Sequence, residues 1–175
     1  MAKRTLTVIA LFATLSGCVS MADAPTETVG SSELRFANGL PAGNAKLLRG
    51  PEQLSLTISV AGLEPGPHGF HLHTVGRCEA PNFTSAGGHL NPYNRDHGTL
   101  SDGGSHLGDL PNLTISSSGS GTAEVVIGGR RDVVLDEIFD DDGTAIIIHE
   151  NADDYRTDPS GNAGPRIACG VLREG

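Results

Sequence analysis

The feature that most limits the fold of this chain is a series of short strand-like runs separated by glycine-rich turns. In the clearest run, residues 54–60, Leu, Leu, Ile and Val alternate with hydroxyl residues, so one face of the strand would be apolar. No helical stripe of useful length occurs. The pattern predicts an all-β protein, an eight-stranded antiparallel sandwich or flattened barrel. The predicted strands are residues 34–37, 45–48, 54–60, 70–73, 113–116, 123–127, 145–149 and 167–171.

Composition favours one folded domain and argues against nucleic acid as a partner. Glycine contributes 24 of 175 residues, aromatic residues only 4%, and tryptophan is absent, so we expect many turns and an aliphatic core. A hydrophobic content of 37% is enough to build that core and excludes a disordered chain. The formal net charge of −9 would repel a phosphate backbone.

The N-terminus has the pattern of an export signal. Lys3 and Arg4 precede an apolar stretch over residues 6–15, which is too short to span a bilayer. Leu15-Ser16-Gly17-Cys18 then resembles the lipobox of bacterial lipoproteins. We therefore expect a signal peptide over 1–17, a lipid on Cys18, a flexible tether over 18–32 and the folded domain over 33–175.

Ordinary signal cleavage after Ala24 is the alternative, and it would discard Cys18. Both processing routes take the mature domain out of the cytoplasm. In a cell with two membranes, Val19 after the cysteine favours the outer membrane by resemblance to lipoprotein sorting signals. Removal of Lys3 and Arg4 also makes the mature chain two charges more negative.

Cys78 and Cys169 remain as a pair in an oxidising compartment, where a structural disulfide is the default. The loop they would close is long, so the chain-entropy model predicts a stabilisation on the order of 4 kcal/mol.

Two long segments, residues 74–111 and 150–165, interrupt the strand spacing. Loops of this length in a small domain usually bind something or are tied down. The acidic run over 136–142 is expected to be a solvated hairpin end before Gly143, because its spacing does not match a calcium loop.

The histidines suggest metal binding. His71 and His73 are two residues apart on a predicted strand, so both rings project from one face and can share a metal. His97, His106 and Asp109 form a set that suits four-coordinate zinc if one more ligand is added. His89 lies between the two sets and has two ring nitrogens, so it could join both. The seven histidines are at 68, 71, 73, 89, 97, 106 and 149.

Four separated motifs, from about residue 33 to 172, resemble the copper/zinc superoxide dismutases. They are HGFHLH at 68–73 with Gly76, Cys78 and SAGGHLNP at 85–92; HG at 97–98 with HLGDL at 106–110; IHENADD at 148–154; and GNAGPRIACGV at 161–171. The resemblance implies a Greek-key barrel, one copper and one zinc per chain, and superoxide as substrate.

Carried over residue by residue, the resemblance assigns the ligands. Copper would be held by His71, His73, His89 and His149, and zinc by His89, His97, His106 and Asp109, with His89 as the bridge. The remaining matched residues have supporting roles. His68 would stabilise the loop by hydrogen bonds, Asp153 would link a histidine of each metal site, Arg166 would guide the anion, and Cys78 and Cys169 would form the disulfide.

The resemblance also implies the chemistry: copper alternates between two oxidation states while His89 takes up and returns a proton, and zinc organises the loop. An acidic domain repels superoxide on average, so local charges have to attract it. Arg166 is the clearest of these, and Arg77 and Arg95 are further candidates.

Two other classes compete with the enzyme. A metal-buffering or copper-delivery protein would not need the zinc set or Arg166, and methionine-rich copper motifs are lacking, with only Met1 and Met21 present. A zinc hydrolase would need an open zinc position, and the motif fills all four. The sequence does not decide between a monomer and a homodimer.

Overall fold

The structure is a computed structural model that describes residues 26–175, so the predicted signal, Cys18 and the start of the tether lie outside the described residues. The elements are β1 (Glu27–Phe36), β2 (Pro41–Arg49), β3 (Leu54–Ala61), β4 (Gly66–His68), β5 (Phe70–His73), a 3₁₀ helix (Thr84–Ala86), β6 (Leu113–Ile115), β7 (Ser120–Ile127), α1 (Arg131–Ile138), β8 (Ala145–His149), β9 (Arg166–Val171) and β10 (Arg173–Glu174). All eight predicted strands are present, and β4 and β10 are additional.

The strands form a curled antiparallel sheet in the order β5-β8-β9-β1-β2-β3-β7, with β10 paired to β1. β4 and β6 form a separate two-stranded ladder. Neighbours that are distant in sequence, such as β9 with β1 and β3 with β7, are typical of Greek-key crossovers. The all-β prediction is confirmed.

The main core fills the inner face of the sheet. Leu54, Leu56, Ile58 and Val60 are all buried, as the alternation predicts. Strand β8 is buried on both faces, because Ile146 and Ile148 join the main core while Ala145 and Ile147 lie in a second cluster under residues 74–111. The long loop therefore covers the outer side of β8.

A disulfide joins Cys78 of this loop to Cys169 on β9, with a Cα–Cα distance of 5.7 Å. The predicted pairing is confirmed, and it ties the long loop to the sheet.

Residues 27–32 form the first part of β1, so the tether prediction is wrong there. Glu27 pairs with Arg49 and Ser32 with Ala45 on β2. The segment resembles a linker in sequence because two of its inward-facing positions hold the small residues Gly30 and Ser32 instead of large apolar side chains. A Cβ on Gly30 would lie 2.7 Å from Cζ of Phe139, so the Phe139 ring fills the space that a strand side chain would normally occupy.

The prediction of a hairpin end at the acidic run is also wrong, because the first part of the run is helical although the sequence shows no helical stripe of useful length. Asp136 and Glu137 belong to helix α1, which buries Val134 and Ile138 one turn apart against the core. The helix is only two turns long, too short for a clear periodic signal. Asp140 does form a turn, because its Oδ1 accepts a 2.8 Å hydrogen bond from the Gly143 amide. Within residues 26–175, no helix has the length and apolar character needed to cross a membrane.

We predict that Ile138→Ala lowers the free energy of unfolding by about 2 to 5 kcal/mol, because it leaves a cavity at a fully buried position. Guanidinium unfolding monitored by circular dichroism measures this. Asp136→Ala, on the exposed side of the same helix, is the control and should change stability by less than about 0.5 kcal/mol. Equal effects of the two changes would contradict the packing role of α1.

Candidate metal centre

Strands β5 and β8 set the position of three histidines. Phe70 and Leu72 of β5 point into the main core, so His71 and His73 point to the opposite side, under the long loop. β5 pairs with β8 in antiparallel register, with Phe70 opposite Ile148. His149, the last residue of β8, therefore lies beside His71, with ring centroids 4.9 Å apart.

The long loop returns along β5 and brings further ligands to these rings. Leu72 donates a 3.0 Å hydrogen bond from its amide to the Gly108 carbonyl and accepts one of 2.8 Å from the Leu90 amide. These contacts align His89 with His73 and Asp109 with His71 as isolated β-bridges. Gly108 is required there, because a Cβ would lie 2.3 Å from the Leu72 carbonyl oxygen.

Two groups of four candidate ligands result, and they share one residue. In each group, one ligand atom per residue lies within 4.8 Å of all the others. The groups are His71, His73, His89 and His149, and His89, His97, His106 and Asp109. The structure thus brings together the residues predicted for each metal, with His89 in both groups.

Asp109 is the centre of the second group. Its Oδ1 lies 2.8 Å from Nδ1 of His89, 3.1 Å from Nδ1 of His97 and 3.0 Å from Nδ1 of His106. Its Oδ2 accepts hydrogen bonds from the amides of Gly98 and His106, at 2.8 and 3.0 Å, which fix the carboxylate. Three imidazole nitrogens around one carboxylate oxygen suit a tetrahedral ion.

The hydrogen bonding of the rings tests whether metals fit. Five buried ring nitrogens make no hydrogen bond in the described part of the chain: Nδ1 of His71, Nε2 of His73, Nε2 of His89, Nε2 of His149, and Nδ1 of His97, which lies 3.1 Å from Oδ1 of Asp109 without hydrogen-bond geometry. Buried polar atoms are normally satisfied, so unpaired nitrogens that converge are expected where an ion binds. Four of them belong to the first group, and the donor set fits a metal.

The second nitrogen of most of these rings is held by the protein. Nδ1 of His73 lies 3.0 Å from the Gly87 carbonyl, and Nδ1 of His149 lies 3.0 Å from the Gly164 carbonyl. Such contacts select the tautomer that turns the other nitrogen toward an ion.

Asp153 connects the two groups directly. Its Oδ2 lies 2.6 Å from Nε2 of His71, and its Oδ1 lies 3.0 Å from Nε2 of His97. Burial raises the pKa of Asp153, but its hydrogen bonds with His71 and His97 outweigh this and hold the pKa well below its usual range. The carboxylate is therefore charged and orients one ring of each group.

The electrostatics keep three of the rings neutral near pH 7. Burial, the largest cause, together with repulsion from neighbouring imidazoles lowers the pKa of His73 to about 2, of His149 to about 3 and of His89 to about 4. Neutral imidazole is the form that binds a metal. For His106, burial lowers the pKa, but the hydrogen bond and charge of Asp109 outweigh it and raise the pKa.

Arg166 lies at a small cavity of about 320 Å³ beside the first group; its lining includes His73, His89, His149 and Ser160. Nη1 of Arg166 donates to the Phe83 carbonyl and Nη2 to the Gly87 carbonyl, each at 2.7 Å. Arg166 is the one arginine among the residues that line this cavity.

The other two arginines predicted to attract the anion lie elsewhere. Arg95 lines a different groove, on the side of His106 that faces β7. Arg77 is exposed and lies 3.9 Å from Glu79. Neither lines the cavity at Arg166.

His68 lies outside both groups of candidate ligands. Its ring nitrogens lie 2.7 Å from the His149 carbonyl and 2.9 Å from the Glu64 carbonyl. These contacts link β4 to the end of β8.

Sequence reasoning missed the residues that hold Asp153. Asn112 accepts a 2.8 Å hydrogen bond from the Asp153 amide and donates one of 2.9 Å to its carbonyl. The Tyr155 hydroxyl accepts from the Asn112 amide at 2.8 Å, and Asp158 accepts from the His97 amide at 2.6 Å. Asn112 follows Asp109 by three residues, and that proximity is the one signal that could have identified it.

An antiparallel Greek-key sheet with two adjacent histidine-rich groups on its outer side defines a class of metal-binding β-barrel proteins. The family model for copper/zinc superoxide dismutase (SODC) matches residues 42–172. The chain therefore belongs to the copper/zinc superoxide dismutase family.

Individual relatives agree with this assignment. Superoxide dismutase [Cu-Zn] 2 of Aquifex aeolicus is 39% identical over 145 residues, which are 81% of this chain and 85% of that protein. The superoxide dismutase-like protein YojM of Bacillus subtilis is 47% identical over 127 residues, 69% of this chain and 63% of that protein.

A solved structure of a SOD-like protein from Bacillus subtilis has a TM-score of 0.76 and 40% identity, and the match covers 82% of this chain and 97% of that one. The Cu/Zn superoxide dismutase from Brucella abortus has a TM-score of 0.68 and 25% identity, with 85% and 100% covered.

We predict that the metal-free protein loses stability as the pH falls from 7.5 to 5.5. The pKa values of His73, His89 and His149 are lower in the folded state than the ordinary 6.5, so below pH 6.5 the unfolded chain binds more protons. Each such ring lowers the free energy of unfolding by about 1.4 kcal/mol per pH unit below 6.5.

His106, with its raised pKa, acts in the opposite direction, and one ring does not offset three. Asp109 and Asp153 have lowered pKa values, so their contribution is lost only when the pH falls toward the ordinary carboxylate value of 3.8. Urea unfolding of chelator-treated protein at both pH values measures the effect. Equal stability at pH 7.5 and 5.5 would contradict neutral, buried rings.

Proposed function

We propose that this protein is a superoxide dismutase that uses one copper and one zinc ion per chain. Two superoxide anions and two protons would give dioxygen and hydrogen peroxide. The observation that carries the proposal is the set of converging, unpaired imidazole nitrogens beside the Arg166 cavity. Family membership supports the same reaction.

The donor types suggest which ion each group takes. His71, His73, His89 and His149 offer only imidazole nitrogens, which suit copper. His89, His97, His106 and Asp109 offer three nitrogens and a carboxylate, which suit four-coordinate zinc. When bound, copper supplies one-electron redox chemistry by alternating between Cu(II) and Cu(I).

Arg166 has the anion-binding role. Its guanidinium is fixed by two carbonyls and offers charge-assisted hydrogen bonds to a small anion in the cavity. The formal net charge of −9 repels superoxide at long range, so this local positive charge attracts it at the site.

His89 has the proton-transfer role. Its Nδ1 lies beside Asp109, while its Nε2 faces the first group and has no hydrogen-bond partner among residues 26–175. An imidazole in this position can take up a proton at Nε2 and give it back within the cavity.

We predict that the purified protein consumes superoxide in proportion to its copper content, and that Arg166→Ala lowers kcat/KM by about tenfold or more, because the variant loses the cation at the cavity. Pulse radiolysis gives the rates, and metal analysis of the same samples shows whether both ions are still bound.

Arg156→Ala is the matched control, since it removes an equal charge from an exposed position in the 150–165 segment that leads to Arg166. An unchanged rate in Arg166→Ala would exclude its anion-binding role. Full occupancy by both metals without superoxide consumption would favour the alternative, a non-catalytic copper/zinc-binding protein on the same fold.

The protein is also proposed to be lipid-anchored outside the cytoplasm. The Cys78–Cys169 disulfide is compatible with an oxidising compartment. The lipobox-like run before Cys18 supports a lipid anchor, and Val19 supports the outer membrane in a cell with two membranes.

We predict that Cys18→Ala moves the protein from the membrane fraction to the soluble fraction, because it removes the lipidated thiol. Cell fractionation with immunodetection measures this, with Cys18 intact as the reference. A variant that stays in the membrane fraction would contradict lipidation, and an unchanged protein that is already soluble would favour cleavage after Ala24.

A further inference from the structure

Phe83 provides one of the two carbonyls that hold Arg166. Its carbonyl accepts a 2.7 Å hydrogen bond from Nη1 of Arg166. Phe83 also has left-handed backbone angles, φ 52° and ψ 24°, which are unusual for a residue other than glycine. A bulky residue keeps such a conformation only where its surroundings stabilise it.

The surroundings of the Phe83 side chain provide that stabilisation. Phe83 is 3% exposed and lies in the second core cluster with Ala86, Ala145, Ile147 and Cys169. Cys78, the disulfide partner of Cys169, packs against the same cluster. Among the described residues of this cluster, Phe83 is the one aromatic side chain, and its ring joins the long loop to the outer faces of β8 and β9.

The turn after Phe83 carries the second carbonyl. The Ala86 amide donates to the Phe83 carbonyl and the Gly87 amide to the Thr84 carbonyl, each at 3.1 Å, which closes the turn. The Gly87 carbonyl accepts from Nη2 of Arg166 at 2.7 Å and lies 3.0 Å from Nδ1 of His73. One short turn therefore sets both acceptors of the guanidinium and also contacts a candidate copper ligand.

From this geometry we propose that Phe83 is a positioning residue for Arg166. Its ring fixes the turn over residues 83–87 on the sheet, and the turn fixes the guanidinium at the cavity. Phe83 does not line the cavity, so it acts through Arg166. The proposal rests on the proposed function for the identity of the anion, but not for the contacts.

The experiment compares Phe83→Ala, Phe83→Leu and the unchanged protein, all loaded with copper and zinc. Azide, a small anion that binds copper, is titrated and followed by visible absorption, and kcat/KM for superoxide is measured in parallel. We expect Phe83→Ala to weaken azide binding and lower kcat/KM by about 3- to 10-fold, because a shift of the guanidinium by a fraction of an ångström misplaces its donors. Phe83→Leu, which still fills much of the cluster, should restore most of both values.

Two further variants separate positioning from general destabilisation. Leu56→Ala truncates a fully buried residue of the main core on β3, and it should reduce stability without changing azide affinity. Adding Phe83→Ala to Arg166→Ala should weaken azide binding no further than Arg166→Ala alone, because the guanidinium is already gone.

Unchanged azide affinity in Phe83→Ala would overturn the proposal, as would an equal loss in Leu56→Ala or a full additional loss in the Arg166→Ala background. If Phe83→Ala does not fold, Phe83→Val, which fills less of the cluster than leucine, takes its place, and unchanged azide affinity and kcat/KM in Phe83→Val would overturn the proposal. Azide binding is read without turnover, so a protein that binds azide but consumes no superoxide would reject the proposed function and leave the comparison of variants valid.

Discussion

The backbone pairing between β5 and the long loop is the constraint on which the metal centre depends. Leu72 donates to Gly108 and accepts from Leu90, so the loop runs along the strand at residues 89–90 and 108–109. A strand directs alternate side chains to opposite faces, so the same few hydrogen bonds place Leu72 in the core and the flanking histidines beside the loop. A side chain at Gly108 would break this pairing.

The metal centre also depends on groups that orient the candidate ligands without binding the ions themselves. Asp153 orients one ring from each group, and Asn112 holds the Asp153 backbone with two hydrogen bonds. Backbone carbonyls orient the rings of His73 and His149. Burial is the main cause that keeps His73 and His149 neutral near pH 7, and the positive charge of Arg166 acts in the same direction while it remains available to an anion in the cavity.

Most of the fold could be predicted because strand alternation is a strong local signal in this chain, and the eight expected strands all form. The errors have local causes. Helix α1 has two buried side chains over eight residues, which is too little for a periodic pattern. The start of β1 resembles a linker because one of its inward-facing positions is Gly30. The space that a side chain would fill there is occupied by the ring of Phe139, a residue more than a hundred positions away.

The strands, the pair of cysteines, the family motifs and the set of candidate ligands could be predicted from the amino-acid sequence, because each depends on residue type and short spacing. The folded arrangement was needed to show which nitrogen of each ring is unpaired and that Arg95 and Arg77 lie away from the cavity. It was also needed to show that Asn112 supports Asp153 and that Phe83 supports Arg166. These features arise from contacts between residues that are tens of positions apart. Such contacts follow from how the loops pack on the sheet, and local pattern contains no information about them.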